Sequence, residues 1–268
     1  MPAIFRMAFK AVKAMRSVVV FKNWGRFLMD RFGLLGGSYV LRTRSGLQFK
    51  VRGGTKDCAI LQEVLLEKCY WPDADFEIHD GDTVVDVGAH AGVFSASAAS
   101  KAAPRGRVYS LEPFPSNFHL LEENVRLNNL DNVRTLMLGL ADSAGSRRLY
   151  VDPRNSGGHS ILPEDDRESV TITTSTLEGF LDENKVERVH FMKVDCEGAE
   201  YEILTSASRK TLDRIDRIVL EYHGSRESRE GVLEKHLAAC GFSTRKVPVS
   251  TELGVLYAAR SKAGTAVA

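Results

Sequence analysis

Residues 83–92 read TVVDVGAHAG. Thr83 to Val87 is a short, β-branched apolar run that ends in Gly88, the pattern of a buried strand delivering the chain into a tight turn. Helical periodicity follows from Phe94 to Ala99, then a Pro104-Arg105-Gly106 turn, then a second strand-like run from Arg107 to Leu111. Downstream, Ser116 is placed to cap a helix carrying Leu120, Leu121, Val125 and Leu127, and Val133 to Leu138 reads as a third strand. The alternation resumes with strands at Val189 to Val194 and Ile215 to Leu220, each followed by a helical stretch. Strands alternating with helices require parallel crossovers. The expected fold class is therefore α/β, a doubly wound, mostly parallel sheet covered on both faces.

Two regions depart from this rhythm. About fifty residues separate the third strand from the one at Val189, with extra strands expected at Arg148 to Val151 and Val170 to Thr173 around a Gly157-Gly158-His159 loop. At the other end, Phe242 to Val249 and Leu253 to Ala259 read as an antiparallel hairpin on the sheet edge. Ahead of the core, alternation in Tyr39, Leu41, Thr43 and in Leu47, Phe49, Val51 marks a β-hairpin about a Ser45-Gly46 turn. Asp57 is expected to cap a helix through Ile60, Leu61, Val64 and Leu65, which Trp71-Pro72 ends. Residues 4–30 carry a helix-like apolar pattern that includes Val19 and Phe27, with many basic side chains and only Asp30 opposing them. That amphipathic segment suits either packing on the main domain or contact with an anionic membrane surface or a protein partner through residues 4–31. The organisation expected is a basic helical segment 1–37, a capping hairpin and helix 38–72, a catalytic domain 73–260 and a frayed tail 261–268.

Composition narrows the function classes. The 268 residues hold 36 Lys and Arg against 35 Asp and Glu, a net charge of +1, so no chain-wide field favours nucleic acid. At 43% hydrophobic and 26% charged, the sequence has enough apolar material for a core and does not read as disordered. Cys58, Cys69, Cys196 and Cys240 fall in no zinc-ligand spacing and suggest a reducing, cytoplasmic setting. No apolar run near the N-terminus is long enough for a signal-peptide core or a spanning helix.

In a parallel sheet, ligands bind beyond the carboxyl ends of the strands where strand order reverses. The first strand delivers Asp86-Val87-Gly88-Ala89-His90-Ala91-Gly92, which is not the G-x-G-x-x-G turn of dinucleotide sites. An acid just before its first glycine disfavours a phosphate and favours a neutral or cationic ligand. The second strand ends in Glu112, placed to accept both hydrogen bonds of a ribose diol. The third is followed by Asp142, which can accept from an adenine amino group. Together these describe a nucleoside without phosphates, and S-adenosyl-L-methionine fits. The fourth strand ends in Lys193-Val194-Asp195, with Lys193 and Asp195 on one strand face.

VVDVGAHAGVFS (Val84 to Ser95), LEPFP (Leu111 to Pro115) and KVDCEGAE (Lys193 to Glu200) resemble the FkbM family of S-adenosylmethionine-dependent methyltransferases, over roughly residues 38–223. The resemblance implies a Rossmann-like class I methyltransferase fold, a seven-stranded sheet whose last strand is antiparallel. It implies O-methylation of a hydroxyl on a small molecule or carbohydrate. By motif match, Asp86, Gly88, Ala89, His90, Gly92 and Glu112 hold the cofactor. Candidates to receive the proton of an acceptor hydroxyl are Asp195 first, then His223 and the loop residue His159, with Lys193 as a partner for Asp195. Asp195, Glu221 and His223 also offer oxygen and nitrogen ligands to a divalent cation, although carboxylates at strand ends are expected here without a metal, and none is assigned. The alternatives from other classes are a non-catalytic nucleoside-binding module and an NAD-type oxidoreductase.

Overall fold

The computed structural model describes residues 17–152, 155–161, 167–223, 229–250 and 253–260. Helix α1 (Trp24–Arg31) precedes the hairpin of β1 (Ser38–Arg42) and β2 (Gln48–Arg52), and then α2 (Asp57–Leu61), which continues into a π-helical turn over Gln62–Glu67. The alternating core runs β3 (Thr83–Val87), α3 (Val93–Ala102), β4 (Arg107–Leu111), α4 (Pro115–Leu127) and β5 (Val133–Leu136). The insertion forms β6 (Gly139–Leu140), β7 (Gly145–Tyr150) and β8 (Ser169–Ser175), a small three-stranded sheet, before α5 (Leu177–Glu183). The second half comprises β9 (Phe191–Val194), α6 (Glu200–Ser206), α7 (Arg209–Leu212), β10 (Arg217–His223), α8 (Arg229–Ala239), β11 (Phe242–Pro248) and β12 (Leu253–Arg260).

The main sheet has seven strands in the order β11-β12-β10-β9-β3-β4-β5. β5, β4, β3, β9 and β10 are parallel, and β12 is antiparallel to both β10 and β11. The doubly wound sheet and its antiparallel last strand are thus as the sequence suggests. The terminal hairpin is not wholly at the edge, because β12 inserts between β10 and β11. Strand order reverses at β3, which has β4 on one side and β9 on the other. A crevice opens beyond the carboxyl ends of strands at such a reversal.

The β3 sequence accounts for this central place. Val84 packs on one face with Phe94, Val108 and Phe191, while Val85 and Val87 pack on the other with Tyr109, Leu111 and Met192. Both faces are dry, and each fully buried valine contributes about 1.5–3 kcal/mol by transfer from water. Phe21, Phe27, Leu41, Phe49 and Val51 of the N-terminal segment belong to the same apolar cluster as Val84. The hairpin is stitched down by amides one helical turn apart. Asn124 accepts from the Lys50 N–H (2.7 Å) and donates to the Lys50 carbonyl (3.1 Å), and Asn128 does the same for Gln48 (2.7 Å each). These two side chains replace the missing neighbour of an edge strand.

Several local expectations need correction. The single helix expected over 4–30 breaks within the described residues: 17–20 are helical, Phe21 then bridges to Thr43, and a new helix starts at Trp24. Val19 and Phe27 do not share a buried face, since Val19 is 72% exposed and Phe27 is buried. Residues 4–16 and the tail 261–268 lie outside the described residues. Asp57 does not cap its helix; it sits inside the first turn and its carboxylate grips Arg52, Oδ2 taking Nε (2.9 Å) and Oδ1 taking Nη2 (2.8 Å). Ser116 is no cap either, because Pro115 already occupies the first helical position, where its missing N–H costs nothing. Among the described residues, no helix is long and apolar enough to cross a membrane.

Candidate active site

At the β3/β9 reversal the chain leaves Val87 through Gly88 (φ +77°), Ala89, His90 (φ +50°) and Gly92 (φ +78°). A Cβ on Gly88 would lie 1.8 Å from the Asp195 carbonyl oxygen, so only glycine lets the two strand-end turns approach. The Gly88 and Ala89 N–H groups both donate to the Leu111 carbonyl (3.0 and 2.9 Å), anchoring the turn to β4. Beyond it lies a cavity with about 920 Å³ of atom-free space, counting its open mouth. Its walls come from the β3 turn, the ends of β4 and β9, the π-helical segment and the small insertion sheet.

Glu112 borders this cavity and is buried. Its Oε2 accepts from the His90 N–H (2.8 Å) and its Oε1 from the Phe114 N–H (2.9 Å). One lone-pair site remains on each oxygen. Burial raises the carboxyl to about 7, against the pull of those two N–H donors. His90 also lines the cavity, but its ring is held by the chain behind: Nε2 lies 3.3 Å from Arg52 Nη2 and 3.3 Å from Ser156 Oγ. Burial, only partly offset by the Asp57 charge, lowers His90 to about 4, so the ring is neutral.

Behind the turn sits a buried charged network. Lys193 Nζ donates to the Gly88 carbonyl (2.6 Å) and pairs with Asp86 Oδ1 (3.2 Å) and Asp195 Oδ2 (3.6 Å). Asp86 Oδ2 accepts from the Ser95 hydroxyl (2.6 Å), which in turn accepts from Ser110 (2.8 Å). Desolvation works against the Lys193 charge, but Asp86 and Asp195 outweigh it and hold the ammonium well above its usual range. Lys193 therefore stays protonated and fixes the β3 turn to β9.

Asp195 faces the cavity from the end of β9, and Tyr70 donates its phenol to Asp195 Oδ2 (2.8 Å). The Tyr70 ring packs edge-on against Phe94 and lies under Lys193 Nζ, 5.3 Å from its centroid. Glu63 and Glu197 add carboxylates to the lining. His223 is not in the lining: Nδ1 meets Glu200 Oε1 (3.1 Å) and Nε2 meets Glu197 Oε2 (3.1 Å). Burial opposes its charge, yet these two hydrogen-bonded carboxylates raise it to about 11, so the imidazole is an imidazolium at neutral pH. Desolvation first, and the Asp195 charge second, push the neighbouring Glu221 up to about 8. His159, in the loop, lines the cavity, takes the Asp152 N–H on Nδ1 (3.1 Å) and packs on Phe114 with ring centroids 4.2 Å apart.

The positions named from sequence divide accordingly. Gly88, Ala89, His90, Glu112, Lys193 and Asp195 border one cavity, whereas Asp86, Gly92, Asp142 and His223 do not. Asp86 lies behind the turn as the counter-ion of Lys193. Gly92 serves packing, since a Cβ there would come within 2.5 Å of Leu121 Cδ1. Asp142 is half-exposed, ion-paired to Arg147 and not part of the cavity lining. Tyr70 is given no role by the sequence; it lies 125 residues from Asp195.

A family model described as Methyltransferase FkbM domain matches residues 86–244, more than half of the chain. The protein belongs to the FkbM methyltransferase family. Among curated relatives, "Methyltransferase 1" of Beauveria bassiana is 27% identical over 60% of this chain and 72% of that protein. The "Hexuronic acid methyltransferase AglP" of Haloferax volcanii is 28% identical over 55% and 58%, respectively. The "31-O-demethyl-FK506 methyltransferase FkbM" of Streptomyces tacrolimicus is 24% identical over 61% and 74%. A solved structure, methyltransferase FkbM from Methylobacillus flagellatus KT, superposes with a TM-score of 0.51 at 18% identity over 71% of this chain and 47% of that one. The fold of this FkbM-family chain is the class I methyltransferase fold.

Proposed function

We propose that this FkbM-family chain transfers the methyl group of S-adenosyl-L-methionine to a hydroxyl of a small molecule or carbohydrate. The observation that carries the reading is the convergence of Glu112, the Gly88 turn and the Tyr70–Asp195 pair on one cavity at the strand-order reversal. The donor set suits that cofactor. Glu112 has a spare lone-pair site on each oxygen for a ribose diol, the apolar Leu138, Leu140 and Ile172 suit a purine face, and Glu63, Asp195 and Glu197 suit a sulfonium. When bound, the cofactor supplies a methyl carbon activated by a positive sulfur. The chain then has to orient the acceptor, exclude water and take one proton, and orientation alone can supply ~7–11 kcal/mol of such a barrier.

Asp195 is the group assigned to take the proton of the acceptor hydroxyl, whose oxygen would receive the methyl group as its bond to sulfur breaks and S-adenosylhomocysteine leaves. Tyr70 and Lys193 hold its carboxylate in place. Lys193 and His223 act as positioning cations rather than bases, since both are protonated at neutral pH. The carboxylates around the mouth disfavour phosphate chains, which argues for a neutral or cationic hydroxylated acceptor and against nucleic acid. The four cysteines are free, in keeping with a reducing, cytoplasmic setting. The test is methyl-label transfer from S-adenosylmethionine across a panel of sugars, lipids and polyketide alcohols. Incorporation into at least one hydroxyl supports the reading, and product binding without transfer to any of them overturns it.

A further inference from the structure

Six of the ten large apolar side chains exposed among the described residues fall between positions 18 and 34: Val18, Val19, Trp24, Met29, Phe32 and Leu34. α1 explains part of this cluster. It buries Phe27 and Asp30 and rests Leu28 partly buried against the core, and at about 100° per residue Met29 and Phe32 fall on the opposite side with Trp24 on the flank. The outward side of this helix therefore exposes Trp24, Met29 and Phe32, where an ordinary surface helix is polar. Phe32 is 70% and Leu34 68% exposed, so the face is not covered by any described residue. Arg26 and Arg31 border it on either side. Residues 17–44 hold five cations, Lys22, Arg26, Arg31, Arg42 and Arg44, and one acid, Asp30, which is buried and accepts the Gly54 N–H at 2.9 Å. Residues 1–16 add four basic side chains and no acid, in a chain whose overall net charge is +1.

We infer that α1 and the turn after it dock on an anionic lipid surface. Trp24, Met29, Phe32 and Leu34 enter the headgroup boundary, and Lys22, Arg26 and Arg31 meet the lipid charges. An apolar face rimmed by cations matches that partner, whereas a neutral protein groove offers the arginines nothing. The docking is independent of the proposed reaction.

Co-sedimentation of the full chain with vesicles of 70:30 phosphatidylcholine and phosphatidylglycerol tests it. Binding is expected there and is expected to fall sharply with pure phosphatidylcholine or high salt. Arg26→Ala with Arg31→Ala is expected to lower partitioning on the order of 30-fold, two surface charges' worth. Phe32→Glu is expected to abolish partitioning while leaving the melting temperature and S-adenosylhomocysteine binding as in wild type. The inference is overturned by the absence of vesicle binding, by Phe32→Glu binding like wild type, or by sedimentation velocity showing a dimer that Phe32→Glu disperses and no vesicle binding.

Discussion

Glu112 offers the sharpest handle on the cofactor proposal, because its state can be titrated. Burial holds its carboxyl at about 7, and each oxygen already accepts one backbone N–H. A ribose diol donates two further hydrogen bonds and so selects the carboxylate, lowering the pKa in the complex. Affinity must then rise with pH through the free-protein value. With that value at about 7, the dissociation constant is expected to be roughly tenfold weaker at pH 6 than at pH 8, and binding at pH 7 should release about half a proton. Glu112→Gln replaces two charge-assisted bonds with neutral ones, a loss of about 1 kcal/mol or more each, so binding at pH 8 should weaken on the order of 30- to 100-fold. The variant should also lose the pH dependence.

The assay is calorimetry with 5′-methylthioadenosine, which carries the diol and no group that ionises between pH 6 and 8. Running it in two buffers of different ionisation enthalpy reads the proton release directly. Subtracting the variant cancels other groups that titrate nearby, Glu221 at about 8 among them. A wild-type affinity independent of pH, or a slope that survives in Glu112→Gln, would refute the diol-to-Glu112 reasoning.

Three further outcomes are expected. Tyr70→Phe removes the phenol that orients Asp195, so steady-state turnover should fall roughly ten- to hundredfold while S-adenosylhomocysteine affinity stays within about twofold; an unchanged kcat would remove Tyr70 from the proposal. Lys193→Met leaves Asp86 as an uncompensated buried charge and should cost about 3–5 kcal/mol in urea unfolding, with a loss below about 1 kcal/mol speaking against the network. For His223 the folded pKa, about 11, lies above the ordinary imidazole value of 6.5, so its stabilisation is complete below 6.5 and drains away as pH climbs toward 11. The difference in stability between wild type and His223→Gln should therefore shrink between pH 7 and 11 by up to about 1.4 kcal/mol per pH unit, and a constant difference would contradict the imidazolium assignment.

What the sequence revealed and what it hid follow from the range of the interactions. Strands and turns are local, so TVVDV, RVYSL and their glycine turns announce the sheet, and the rule that ligands sit at strand carboxyl ends points to Gly88, Glu112 and Asp195 without any tertiary information. Partnerships across the chain are not local. Tyr70 reaches Asp195 only because the π-helical segment folds over the crevice, and nothing in its neighbourhood of sequence says so. Asp142 has the right spacing after a strand, yet its carboxylate pairs with Arg147 outside the cavity lining, a contact that spacing alone does not show. His223 misled for an electrostatic reason: an isolated histidine titrates near neutrality, but two carboxylates from α6 and the loop before it clamp this one in its charged form. The helix starts near Asp57 and Ser116 are right but their capping roles are not: both side chains have the capping chemistry, while Arg52 claims the first and Pro115 pre-empts the second.

The proposal that the crevice receives S-adenosylmethionine through its sugar is tested most directly by a crystal structure with S-adenosylhomocysteine. The nucleoside is expected beyond the carboxyl ends of β3 and β4, its two ribose hydroxyls each within hydrogen-bonding distance of a Glu112 oxygen and its sulfur on the side of Asp195 and Tyr70. Electron density for the ligand elsewhere on the molecule, or a diol that makes no contact with Glu112, would contradict it.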